Sequence, residues 1–449
     1  MGFKTTKQIA DWAHGLKFED LPADLVAHIK NLIIGYTSSS LAGSNMPIGQ
    51  IASQYAKISS SIAEAGVFGG GFKATMEMAA LANATMSHST ELEDVSFPDG
   101  LYTLSPFGTV FAVAENKKLS GKELIEAFVV GYDIASHLGV VCQEAGSRGW
   151  MLSATFASVG NAAAAAKLMK LSPEQLLCAM GIGASQGMGM VRQSGTGAHT
   201  MEAGFAARNG ITAARMAGMG LDASPTILEG QSGMCDLVGR LTEWECEDGY
   251  RVARIGIRKY PCCGLGQRVV DGMSDLILEK NLKADDVKKI DVEANHTFGM
   301  YMKFPNPENA AQTRFSIEHA VASCFIEQPV FLKSFTDQAA TDPRYAAIRP
   351  KVNKIIHEEW EHGYFPQPAI ITVHLKDGST LKKECVFARG DDGHPVTKAD
   401  VEKKYKGAID FVGTLSDSQA SKAWDIIDKI ENLKDVSELT QIFSFPDKK

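Results

Sequence analysis

The densest group of ionisable side chains is His88-Ser89-Thr90-Glu91-Leu92-Glu93-Asp94. Three carboxylates within four residues repel one another, and substantial burial would keep at least one protonated near neutral pH. A carboxyl in that state can serve as general acid or base. A solvated helix end, where acids gather, is the competing reading. Against it, the cluster follows the Ala-rich run from Met76 to Met86 and leads into Pro98, Asp99-Gly100 and Tyr102, so it sits where a buried helix emerges. A second candidate is Arg192-Gln193-Ser194-Gly195-Thr196-Gly197-Ala198-His199. A glycine-rich loop with a cation and an imidazole can hold an anion through side chains and backbone N–H groups. It lacks GxxxxGK[ST] and follows no strand, so neither nucleotide fingerprint applies; a helix-to-helix connector fits equally well. The third is Arg258-Lys259-Tyr260-Pro261-Cys262-Cys263-Gly264, with Gln267 and Arg268 beyond. Cations where the chain changes texture suit an anionic substrate, with a basic linker as the alternative. A nucleophilic Cys262 or Cys263 needs a base that the neighbouring residues do not supply. The fourth, Arg314-Phe315-Ser316-Ile317-Glu318-His319, puts charges at a helix start.

No metal-ligand spacing appears. There is no HxH or HExxH, and His357-Glu358 with His362 is one residue too long for one helical face. The eight cysteines (142, 178, 235, 246, 262, 263, 324 and 385) form no CxxC pair, and most are expected as buried, small apolar residues. Of 449 residues, 45% are hydrophobic and 22% charged, which excludes a largely disordered chain. A net charge of −8 argues against a nucleic-acid-coating protein. The longest apolar stretches, such as 160–169, fall short of the about 20 residues that cross a bilayer. The first residues show no basic patch followed by an apolar core. The expectation is a soluble cytoplasmic protein with no nucleic-acid or membrane partner.

The elements that must position these groups are legible from periodicity. Residues 6–16 and 25–34 place apolar side chains at helical spacing. Ser120 with Glu123 is a capping box, as are Ser172 with Gln175 and Thr397 with Asp400. Segments 155–169, 174–190 and 202–218 are rich in Ala, Gly and Met, and predict tightly packed buried helices. The texture changes near 259. Residues 268–280 predict a helix, and 287–298 alternate with period two, placing Ile290, Val292 and Ala294 on one face. Residues 370–388 predict two strands joined at Asp377-Gly378. Helices are predicted at 316–327, 344–358 and 418–432. The fold class is mainly α, with a large all-helical domain (1–265 plus 395–449) interrupted by a smaller α+β domain (266–394). A cleft between two such units is the default binding site.

Taken in order, these segments resemble the MmgE/PrpD family, whose members include 2-methylcitrate dehydratase, cis-aconitate decarboxylase and iminodisuccinate epimerase. Residues 79–94 (AALANATMSHSTELED) resemble its AAxxNGxxxHxxDxDD signature. Residues 199–210 (HTMEAGFAARNG) resemble KxLHAGxAARxG, and 258–264 (RKYPCCG) resemble KxYPxCG. The opening stretch 10–43, the segment 314–319 and the tail 390–405 add three more matches, so the likeness spans nearly the whole chain. It implies that the α+β unit is a lid, that the chain forms a homodimer, and that no metal or organic cofactor is used. It also implies proton transfer with elimination or isomerisation beside a carboxylate. The departures are specific. Glu91 stands for the family Asp, Val95 for a Thr, and Met151 for a His that a thioether cannot replace in proton transfer. No His occurs at 102–105; His199 replaces a Lys and Glu202 a His. Arg258 stands for the KxYP lysine, with Lys259 beside it; Gln267 replaces a His and His319 a Tyr.

These readings combine into one expectation: a cofactor-independent lyase or isomerase acting on a small anionic organic acid. His199 is the favoured base, because an imidazole titrates near neutrality. Arg258 or Lys259 would stabilise developing charge or anchor a carboxylate. One of Glu91, Glu93 and Asp94 would act as acid or orient His199. His319 is a further catalytic candidate. Tyr102, Met151, Arg192, Gln267 and Arg268 are the substrate-binding candidates. The lost Lys and His side chains lower local positive charge, so a substrate with fewer carboxylates than a tricarboxylate is expected. The alternatives are an epimerase or racemase of the same fold, needing two opposed bases, and a non-catalytic metabolite-binding relative with an eroded site.

Overall fold

The computed structural model describes residues 5–239, 249–363 and 368–446; Cys246, expected as a buried thiol, lies outside them. Helices Ala23–Gly43, Met76–His88, Leu104–Lys117, Gly121–Val141, Leu152–Leu168 and Gly197–Gly218 pack into one apolar core. The C-terminal helices Lys398–Val412, Asp417–Asp428 and Ser437–Ser444 contribute Tyr405, Ile409, Ile427 and Phe443 to that same core. Small residues set its spacing. A Cβ on Gly160 would meet the Gly131 carbonyl oxygen at 2.0 Å, so helices Gly121–Val141 and Leu152–Leu168 touch backbone to backbone only because both positions are glycine. All three capping boxes form as predicted. Gly121–Val141 is long and apolar enough to cross a membrane, unlike the stretches weighed in the sequence, but most of its surface is buried inside this core.

A second core runs from Tyr260 to Cys385. Its sheet has the order Val352–His357, Val287–Asn295, Ala369–Leu375, Thr380–Cys385, with the first pair parallel and the others antiparallel. Ile290, Val292 and Ala294 are fully buried on one face, as their alternation predicts. The 369–385 hairpin turns at Gly378, whose φ is +92°. The helix expected over 344–358 is corrected. Only Pro343–Ile348 is α-helical, and Val352–His357 is a strand pairing with Ile290–Asn295. Pro350 supplies no backbone N–H to continue the helix, the chain makes one 3-10 turn over Arg349–Lys351, and the β-branched Val352, Ile355 and Ile356 then suit the pleat. The helix expected over 174–190 ends at Ala184. Gly187 and Gly189 weaken helix beyond that point, and Met190 pairs instead with Trp150.

Candidate active site

Residues from both cores line a cleft of about 540 Å³. Glu91, Tyr102, Met151, His199 and Arg258 reach it from the helical side, and His296, Met300, Tyr301 and His362 from the α+β side.

The acidic segment begins where helix Met76–His88 stops. Glu91 adopts a left-handed backbone (φ 51°), uncommon for a residue with a Cβ, and its N–H bonds the His88 carbonyl at 3.1 Å. This turn sends the Glu91 carboxylate toward Arg258. One guanidinium nitrogen, Nη1, donates to Glu91 Oε2 at 2.9 Å and to Glu93 Oε1 at 2.8 Å. Glu91 and Arg258 are 4% and 6% exposed, so this is a buried ion-pair triad. Burial pushes Glu93 well above the carboxylate range, with Glu91 adding to the rise and Arg258 opposing it. Burial alone would lower the Arg258 pKa, but Glu93 and Glu91 more than offset it, and the guanidinium stays charged.

Asp94 plays a different part. Its Oδ1 accepts from Lys404 Nζ at 2.7 Å and from the Arg258 backbone N–H at 3.1 Å. Its carbonyl accepts from the Thr103 N–H at 3.1 Å, beside Tyr102. Val95 and Gly256 exchange two backbone hydrogen bonds next door. Asp94 therefore ties three segments together, and it lies against Gly35, where a Cβ would meet its Oδ2 at 2.4 Å. Burial raises the Asp94 pKa, and the Lys404 ammonium works against that rise.

His199 opens helix Gly197–Gly218, whose N-cap is Thr196. Its Nδ1 lies 3.1 Å from Glu202 Oε2, one helical turn on. The His199 and His88 rings meet edge-on with centroids 4.8 Å apart, and the Tyr102 ring lies tilted against His88 at 5.0 Å. His88 is fully buried; burial drives its pKa well below the usual value, with His199 and Arg258 adding to the drop.

The remaining expected site residues fall elsewhere. Lys259 is not among the cleft-lining residues; its ammonium lies 3.9 Å from Asp271, so the cleft cation is Arg258. His319 is buried, donates to the Ser334 carbonyl at 2.7 Å and stacks on Tyr345 at 4.6 Å; burial lowers its pKa to about 4. Gln267 spends its amide on the backbone of Tyr260 and Cys262, clamping the Tyr260–Cys262 turn, and lines a neighbouring cavity. Arg268 is buried within the α+β helix Gln267–Lys280 rather than on the cleft. Arg192 is exposed in a turn, and the glycine-rich stretch serves as the connector that starts helix Gly197–Gly218. Cys263 does line the cleft, but burial pushes its thiol up to about 12, which opposes a thiolate nucleophile.

Two functional side chains were not assigned roles from sequence. His88 was visible within the acidic cluster, but nothing local showed that its ring meets His199. Lys404 carried no signal beyond a basic helix face.

The cleft thus gathers buried His, Glu and Arg side chains on its helical wall. The MmgE/PrpD N-terminal domain matches residues 7–247 and the MmgE/PrpD C-terminal domain matches 260–432. The chain belongs to the MmgE/PrpD family. It is 24% identical to a cis-aconitate decarboxylase of Aspergillus terreus over 477 residues, covering 98% of this chain and 96% of the relative. It is 24% identical to the Homo sapiens cis-aconitate decarboxylase over 471 residues, covering 98% and 95%. A cis-aconitate decarboxylase-like protein of Aspergillus oryzae is 22% identical over 472 residues, covering 98% and 97%.

Proposed function

We propose that the chain is a lyase that abstracts a proton beside a carboxylate of a small organic acid, without metal or organic cofactor in the chemical step. The observation that carries this reading is the shared cleft: His199 and Arg258 line it together, and Glu91 bonds Arg258 from the same wall. His199 is the base. Glu202 holds its Nδ1, which leaves Nε2 as the proton acceptor. Arg258 receives the negative charge that develops on the substrate, and the buried surroundings strengthen that interaction. Tyr102 closes the site beside Arg258, which lies 5.7 Å from its ring centroid. The α+β unit acts as a lid, with Tyr301 and His362 contacting the far end of the substrate. Among the described residues Arg258 is the one arginine that lines the cleft, which favours a mono- or dicarboxylate. The chain works as a homodimer, in keeping with Ile51, Tyr55 and Ile58, which leave one face of helix Pro47–Ser59 apolar and exposed.

The test is an NMR screen in D2O of hydroxylated and unsaturated mono-, di- and tricarboxylates, cis-aconitate included. Turnover of a mono- or dicarboxylate, lost in His199→Ala, supports the reading. Preferred turnover of tricarboxylates would sink the substrate inference. Deuterium entering unreacted substrate without elimination would select an epimerase instead, and binding without turnover a non-catalytic relative. Light scattering after gel filtration reads the oligomeric state; a monomer refutes the dimer.

A further inference from the structure

We propose that His88, Glu91 and His199 bind a divalent first-row transition ion such as zinc at the inner end of the cleft. One nitrogen from each histidine and one Glu91 oxygen lie within 4.8 Å of one another, and all three residues are buried. Their partners determine the tautomers. The Thr200 carbonyl, 3.2 Å from His88 Nδ1, can only accept, so Nδ1 carries the proton and Nε2 presents a lone pair. That Nε2 is buried with no hydrogen-bond partner, 3.6 Å from Glu91 Oε1 and 4.0 Å from Glu93 Oε1. A lone pair facing carboxylate oxygens is repulsive unless an electropositive centre sits between them. Glu202 orients His199 in the same way, with Nδ1 toward the carboxylate and Nε2 left as donor.

Histidine ligands of metals characteristically bond their second nitrogen to a carbonyl or carboxylate, and here both do. Two imidazoles and one carboxylate, open on the cleft side, form a donor set that zinc and its neighbours accept. Arg258 bonds Glu91 Oε2, which leaves Oε1 for the ion. On the function proposed above, an ion here withholds the His199 lone pair from substrate and inhibits. The binding claim does not depend on that function.

The experiment titrates chelator-treated full-length protein with Co²⁺ alone, followed by visible absorption and calorimetry. One equivalent should bind with the d–d bands of a low-coordinate nitrogen–oxygen site, displaceable by Zn²⁺. His88→Gln and His199→Gln should each weaken binding by at least about 100-fold, and Glu202→Gln by about 10- to 100-fold. His88→Gln retains a donor for the Thr200 carbonyl, and thermal melts verify that each variant is folded. The double variant His296→Ala/His362→Ala, which removes the stacked pair on the α+β side, should bind as the parent does. No uptake at millimolar Co²⁺, uptake that survives both His88→Gln and His199→Gln, or uptake lost only with His296 and His362 would each overturn the proposal.

Discussion

On the helical side of the cleft, Glu91, His199 and Arg258 are 4%, 3% and 6% exposed; Glu91 bonds Arg258, and His199 faces Glu202. On the α+β side, the His296 side chain is 39% exposed, and Glu361 and His362 are exposed outright. The two sides therefore answer differently to change. A buried, mutually bonded triad holds its geometry before substrate arrives, and removing Arg258 strands Glu91 and Glu93. An exposed wall can exchange side chains at little cost to folding. On the function proposed above, the chemistry belongs to the helical core and substrate choice to the α+β wall.

The strongest challenge to that division is Arg258→Met, which leaves Glu91 and Glu93 buried without their cation. A loss of about 3–5 kcal/mol in denaturant unfolding is expected. Arg258→Lys should recover only part of it, because a single ammonium cannot reproduce the guanidinium contacts. His199→Ala should lower kcat by about 10²–10⁴-fold while barely moving the melting temperature; turnover at the parental rate would remove His199 from the mechanism. Lys404→Met should cost about 3 kcal/mol by stranding Asp94, and the double variant Asp94→Asn/Lys404→Met should regain most of that. A purely additive double variant would mean that the pair does not act as a unit.

His319 offers a pH test away from the cleft. Its native pKa is about 4 against the ordinary value of 6.5, so between those two the unfolded chain binds more protons. Stability should therefore fall as pH drops through that window, by about 3 kcal/mol from this group alone. His319→Phe should flatten the acid limb of a melting-temperature profile; an unchanged limb would place its origin in His88 and His137, which burial also depresses. The smallest effect belongs to the exposed wall. His362→Ala should change stability by less than about 0.5 kcal/mol and appear in KM rather than kcat. A large kcat loss there would erase the distinction between the two sides.

Much of the fold could be read directly. The capping boxes at Ser120, Ser172 and Thr397, the buried face of Ile290, Val292 and Ala294, and the turn at Gly378 all stand where local patterning puts them. The strand Val352–His357 did not, because its apolar residues fit a short helix as well as a pleat until the neighbouring strand at 287–295 is known. In the site, the acidic cluster and Arg258 were visible as residue types. The choice of Arg258 over Lys259 was not, because adjacent side chains diverge and only the packing shows which one meets Glu91.

By itself, the sequence determined where several helices would begin, at Ser120, Ser172 and Thr397, and that the chain would change from helical to α+β texture near residue 259. Those properties follow from interactions over a few residues, and periodicity reports them faithfully. Only the tertiary structure decided that His88 would meet His199, that Arg258 would bridge Glu91 and Glu93, and that Lys404 would neutralise Asp94 across 310 positions. A tautomer, a counter-charge or a desolvated carboxylate is set by whichever group packs against it. Local patterning says that a face is buried, and not against what.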